Sequence, residues 1–119
     1  MGRLRAALAV VFGVLLVGLW GGASAALAAP AEVKASDQGS SHWEPANVTI
    51  NAGETVTWDF TDAATSHDVT ATGGNWTSPD STVHGPGSPD VVATFDTPGT
   101  YTFVCSIHPS TMQGSVTVE

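Results

Sequence analysis

Phe95-Asp96-Thr97-Pro98-Gly99-Thr100-Tyr101-Thr102-Phe103-Val104-Cys105 is the stretch whose reading decides the fold. Thr97-Pro98-Gly99 turns the chain, and the six residues after it alternate. Tyr101, Phe103 and Cys105 fall on one face of an extended segment, with Thr100, Thr102 and Val104 on the other. The pattern recurs on both sides of this stretch. Val91–Phe95 runs into the turn, and Gly114–Glu119 follows with Val116 and Val118 directed inward. Further upstream, Glu32–Ala35, Asn47–Ile50, Thr55–Phe60 and His67–Ala71 read as strands; Val48 and Ile50 share one face, as do Val56, Trp58 and Phe60. Asn51-Ala52-Gly53-Glu54 is a turn between two of them. No helical period is sustained after Pro30. Seven short strands bounded by turn residues predict an all-β domain of two small packed sheets. Thr72–Asp90, rich in Gly, Pro and Ser, reads as a long connection within that domain. Its Trp76 and His84 suggest that part of it folds back onto a sheet.

The 119 residues hold three Lys and Arg against eleven Asp and Glu, and one cysteine. That length supports one domain with an appendage and excludes a multi-domain enzyme. The acidic balance argues against a nucleic-acid partner, which needs basic side chains along phosphate. The appendage is at the start. Arg3 and Arg5 precede Ala6–Trp20, fifteen residues without a charged side chain, and small residues then offer cleavage after Ala25 or Ala28. Residues 1–28 therefore read as a secretory signal and 29–119 as the domain. Kept as an anchor, the apolar stretch to Ala23 is close to the shortest spanning length, roughly 17 residues. Removed, it leaves Lys34 as the one base against eleven acids, a net charge of −10 and no membrane span. Export also means an oxidising compartment, where a free reactive thiol is oxidised or cross-linked. Cys105 is then buried and inert, paired between molecules, or bonded to a metal.

Cys105-Ser106-Ile107-His108-Pro109-Ser110-Thr111-Met112 sets a thiol, an imidazole and a thioether within eight residues, between one strand and the next. His67 begins an upstream strand that, run antiparallel, shares that end of the sandwich. A lone strand cysteine is more often a small buried hydrophobe, and His67 alone fits a polar turn. Together the four residues make two imidazoles, a thiolate and a weak thioether, the ligand set of a mononuclear blue-copper electron-transfer site. His42 and His84 lie in polar loops and read as solvated side chains. Trp43, Trp58, Phe95, Tyr101 and Phe103 read as core. A Cys–His nucleophile is the enzymatic alternative; about 90 residues leave little room for a substrate cleft, so no enzyme is expected.

Trp43-Glu44-Pro45, Val48–Trp58, His67-Asp68-Val69, Phe95–Cys105 and His108-Pro109 through Met112 to Val116 together resemble the cupredoxin family, above all its small plastocyanin-, pseudoazurin- and amicyanin-like members. The resemblance covers about residues 32–119. It implies a Greek-key β-sandwich of about seven to eight strands and one copper ion cycling between Cu(II) and Cu(I). It implies His67, Cys105 and His108 as ligands with Met112 axial, Gln113 being the amide alternative. It also implies weak, transient docking of donor and acceptor redox proteins near His108, whose ring edge serves as the electron's door. Asp68 stands where the family commonly has Asn, in a position that supports the cysteine loop in relatives. A carboxylate there is expected to favour Cu(II).

The reading is an exported, monomeric one-electron carrier, periplasmic, secreted or held at the cell surface. A copper storage or delivery module is the alternative, and a surface sandwich domain with a vestigial site a third.

Overall fold

The computed structural model describes residues 31–119, so the expected export segment, with cleavage expected after Ala25 or Ala28, lies outside the described residues. Nine strands run in the order β1 (Ala31–Ser36), β2 (His42–Glu44), β3 (Asn47–Ile50), β4 (Glu54–Asp59), β5 (His67–Gly73), β6 (Asp80–His84), β7 (Val91–Phe95), β8 (Gly99–Val104) and β9 (Gln113–Val118). They form a four-stranded sheet, β2-β1-β4-β7, and a five-stranded sheet, β3-β9-β8-β5-β6. The all-β sandwich expected from the alternation is the fold observed. No helix among the described residues is long and apolar enough to cross a membrane.

The alternation explains the layers. In β4, Val56 and Trp58 are buried, and Phe60 just beyond continues the same face; in β9, Val116 and Val118 are buried. Each period-two strand sends one row of side chains between the sheets. Trp58, Phe60, Phe103 and Ile50 fill the centre with no exposed surface. Burial of one such side chain contributes about 1.5–3 kcal/mol. Phe103 makes T-shaped contacts with two indoles, its ring centroid 5.3 Å from that of Trp58 and 5.8 Å from that of Trp43. The Nε1 hydrogens of Trp43 and Trp58 have no hydrogen-bond partner among the described residues, so both rings are held by packing alone.

Two strands were not expected. β2 is three residues long, too short to display a period, and is held by Lys34↔Glu44 to Ser36↔His42 pairing with β1. β6 lies inside the Gly-, Pro- and Ser-rich stretch expected to be a connection. Its apolar residue Val83 is 57% exposed, so no buried row marks it in the sequence. It pairs with β5 at the sheet edge, His67 opposite His84. That pairing corrects the reading of His84 as solvated. Its side chain is only 12% exposed, 3.2 Å from an Asp80 oxygen, and its ring stacks on Phe60 at 4.8 Å. His42 is half-exposed, its Nδ1 2.7 Å from the Ser40 carbonyl oxygen.

Gly74 lets the chain leave β5 across the face of β8. Its φ is +96°, and a Cβ there would stand 2.5 Å from the Thr100 carbonyl oxygen. Only glycine satisfies both the left-handed backbone and the close approach. Trp76, two residues on, reaches back to the sheet and donates its indole N–H to the Thr102 carbonyl at 3.1 Å.

Candidate metal centre

β8 runs antiparallel to both β5 and β9. The start of β5, the end of β8 and the start of β9 therefore meet at one end of the sandwich. His67 is the first residue of β5, Cys105 follows the last of β8, and Met112 precedes the first of β9. Residues 106–111 form the loop between. It is closed at its base by the Cys105 N–H donating to the Met112 carbonyl at 3.0 Å. Inside it, the His108 N–H donates to the Cys105 carbonyl (3.1 Å) and the Met112 N–H to the His108 carbonyl (2.9 Å). These bonds curl the loop so that His108 turns back over the cysteine.

The result is a tight cluster. Cys105 Sγ lies 3.9 Å from His67 Nδ1 and 3.7 Å from His108 Nδ1, and one donor atom from each residue falls within 4.8 Å of the others. His67, Cys105 and Met112 are fully buried, and His108 is half-buried. Metal–nitrogen and metal–sulfur bonds of about 2.0 and 2.3 Å, spread trigonally, separate a bonded nitrogen and sulfur by about 3.7 Å. The observed separations match that spacing. One soft sulfur with two imidazole nitrogens is a donor set suited to copper. Gln113, the amide alternative, is exposed and donates its side-chain N–H to the Pro109 carbonyl at 2.9 Å, whereas Met112 is inside.

The surroundings hold the cluster in shape. The Asp68 backbone N–H donates to Cys105 Sγ at 3.4 Å. The Asp68 carboxylate, 5% exposed, accepts the Ser106 N–H at 2.7 Å, the Ser106 hydroxyl, and the Thr70 hydroxyl at 3.0 Å. One residue thus grips the sulfur with its main chain and the cysteine loop with its side chain.

Asp37 was not anticipated. It follows β1, 30 residues before His67, in a Gly- and Ser-rich turn that gives no local sign of a distant partner. Its Oδ2 lies 3.1 Å from His67 Nε2 and accepts the N–H groups of Ala64 (2.6 Å) and Thr65 (3.0 Å). Its Oδ1 accepts the hydroxyls of Ser41 (2.6 Å) and Thr65 (3.2 Å). Burial opposes ionisation of this carboxyl. The bonds from Ser41, Ala64, His67 and Thr65 outweigh it and hold the group well below the usual carboxylate range.

Comparison with known proteins agrees with this geometry. The family model described as "Copper binding proteins, plastocyanin/azurin family" matches residues 31–119. The chain is 37% identical over 93 residues to the plastocyanin of Scenedesmus fuscus, a match covering 71% of this chain and 93% of that protein. Oxidised plastocyanin from Dryopteris crassirhizoma superposes with a TM-score of 0.63 at 28% identity, covering 74% of this chain and 99% of that one. A reduced amicyanin variant superposes with a TM-score of 0.63 at 26% identity, covering 76% and 82%. This chain belongs to the plastocyanin/azurin family of copper-binding proteins, a cupredoxin whose His67–Cys105–His108 cluster with Met112 fits one copper ion.

Proposed function

We propose that this protein is an exported one-electron carrier, with copper held by His67 Nδ1, Cys105 Sγ and His108 Nδ1 and weakly capped by the Met112 thioether. Residues 1–28 are its export signal and 29–119 its working domain. It acts outside the cytoplasm as a monomer and catalyses no reaction of its own. The observation that carries the reading is the convergence of one buried thiol and two imidazoles at N–S separations of 3.7 and 3.9 Å. Copper bound there supplies one-electron exchange between Cu(II) and Cu(I).

The chain's own residues do the rest. The loop closed between Cys105 and Met112, the sandwich behind it and the Asp68 bonds keep the donor atoms in nearly one arrangement for both oxidation states. Little nuclear rearrangement then opposes electron transfer. Half-buried His108 is the way out for the electron. Ile107, 46% exposed, and exposed Pro109 flank it and give donor and acceptor an apolar landing place. Redox encounters of this kind bury little area and release quickly. A net charge of −10 steers a basic partner toward the surface.

Copper titration of the purified domain tests this. An intense blue thiolate charge-transfer band that bleaches with reductant, returns with oxidant and is absent in Cys105→Ser supports the carrier. Tight Cu(I) binding without a stable blue Cu(II) form would instead indicate storage or delivery, and no copper retention a vestigial site.

A further inference from the structure

The carboxylate of Asp37 makes five contacts. Four, from Ser41, Ala64 and Thr65, fasten the turn after β1 to the segment leading into β5. The fifth goes to the Nε2 of a fully buried histidine whose other ring nitrogen faces the cysteine sulfur. An ionised carboxylate can only accept, so Nε2 carries the hydrogen and, in the neutral ring, Nδ1 is the lone-pair nitrogen. Thr65 Oγ1, 3.3 Å from the same Nε2, is compatible with either tautomer and does not select one.

We propose that Asp37 is the positioning residue of the centre: its carboxylate selects the His67 tautomer that offers Nδ1 to the metal, and its charge, passed through the imidazole, biases the site toward Cu(II). The second half rests on His67 being a ligand; the first does not. A carboxylate sharing the distal N–H of a ligating histidine fixes the ring and raises its basicity, and a more basic ligand favours the more highly charged ion. Asp37 is well placed for this role. Its side chain is 10% exposed, so water does little to screen it, and its other four donors leave the carboxylate little freedom to turn away.

Asp37→Asn separates charge from geometry. The amide oxygen can take over the Ala64, Thr65 and His67 contacts. The amide nitrogen then faces the Ser41 and Thr65 hydroxyls, which can rotate to accept. Asp37→Ala removes both charge and geometry. Ser41→Ala loosens the turn without touching His67. Imidazole ¹H–¹⁵N correlation spectra of the copper-free proteins and voltammetry of the copper-loaded ones are the readouts.

A single Nε2–H tautomer for His67 in the wild type, Asp37→Asn and Ser41→Ala, and a mixture in Asp37→Ala, are expected. Outer contacts of this type change metal affinity by about 10–100-fold. At the lower end, Asp37→Asn shifts the Cu(II)/Cu(I) affinity ratio about tenfold toward Cu(I), an upward change of about 59 mV. Ser41→Ala leaves the potential in place. An unchanged or lower potential in Asp37→Asn overturns the redox half, as does an equal rise in Ser41→Ala, which would reduce Asp37 to a loop fastener. An unaltered tautomer in Asp37→Ala overturns the positioning half. Should Asp37→Ala fail to fold, an Nδ1–H tautomer in copper-free wild type does so instead. Failure of the wild type to take up copper defeats the ligand assignment, while the copper-free spectra still judge the tautomer separately.

Discussion

Ser106 donates twice to the carboxylate of Asp68, through its backbone N–H at 2.7 Å and through its hydroxyl. The two residues are 38 positions apart, and each adjoins a proposed ligand, Cys105 on one side and His67 on the other. Asp68→Asn should keep both bonds, because an amide oxygen accepts the N–H while the hydroxyl rotates to accept from the amide. What it removes is a negative charge beside the centre. The expected result in voltammetry is a higher reduction potential; an unchanged or lower one counts against any influence of this carboxylate on the metal. Asp68→Ala should leave the Ser106 N–H without its partner and lower stability by about 1–3 kcal/mol.

Gly114 is the second residue of β9 and sits under the Phe103 ring. A Cβ there would stand 2.5 Å from the Ala46 carbonyl oxygen and closer still to the ring. Gly114→Ala must displace β3's lead-in or rotate Phe103. Overpacking of this kind costs about 1–3 kcal/mol, to be read as a lower urea midpoint at unchanged m-value.

Asp59 caps the turn after β4. Its Oδ1 accepts the Thr61 hydroxyl at 2.6 Å and the Thr61 N–H at 2.8 Å. Those bonds, with smaller help from the Lys34 charge, lower its pKa. A carboxyl depressed in the folded state stabilises fully above its unfolded value of about 3.9, and that stabilisation is lost as pH falls through the folded value. The stability difference between wild type and Asp59→Asn should be present at pH 7, at most about 1 kcal/mol for so accessible a group, and should shrink below about pH 4. A difference that grows on acidification would refute the assignment.

Copper removal should lower the melting temperature without changing the strand content. Trp58, Phe60 and Phe103, none of them a proposed ligand, fill the centre of the sandwich. Ligand binding adds RT ln(1 + [L]/Kd), about 4 kcal/mol at a thousandfold excess over Kd. Calorimetry of copper-free and loaded wild type should show that increment, and Cys105→Ser should melt alike with and without copper.

Much of this was readable in the chain. Strands with a buried row, such as Thr100–Cys105 and Thr55–Phe60, declare themselves by alternation, because one face must be apolar for the sandwich to form. Their observed limits differ by one or two residues, as in Glu54–Asp59 and Gly99–Val104. β2 and β6 did not declare themselves. One is too short for a period, and the other is an edge strand whose pairing depends on main-chain bonds that any residue can make. Cys105, His108 and Met112 were legible because the loop between two strands must bring them together. Asp37 was not. Its partnership with His67 arises from the parallel pairing of β1 with β4, which brings the turn after one strand beside the segment after the other.

β9 is the last of the nine strands in sequence, yet it lies inside its sheet, parallel to β3 on one side and antiparallel to β8 on the other. While the chain emerges from the ribosome, the five-stranded sheet therefore lacks an interior member until Gln113–Val118 has been made. Completing this sheet is then dominated by distant pairings, the kind that proceeds in milliseconds to seconds rather than microseconds. Cys105 and His67 come together only once β5 and β8 have paired, so the cluster of donor atoms is a product of the finished sheet and of neither strand alone.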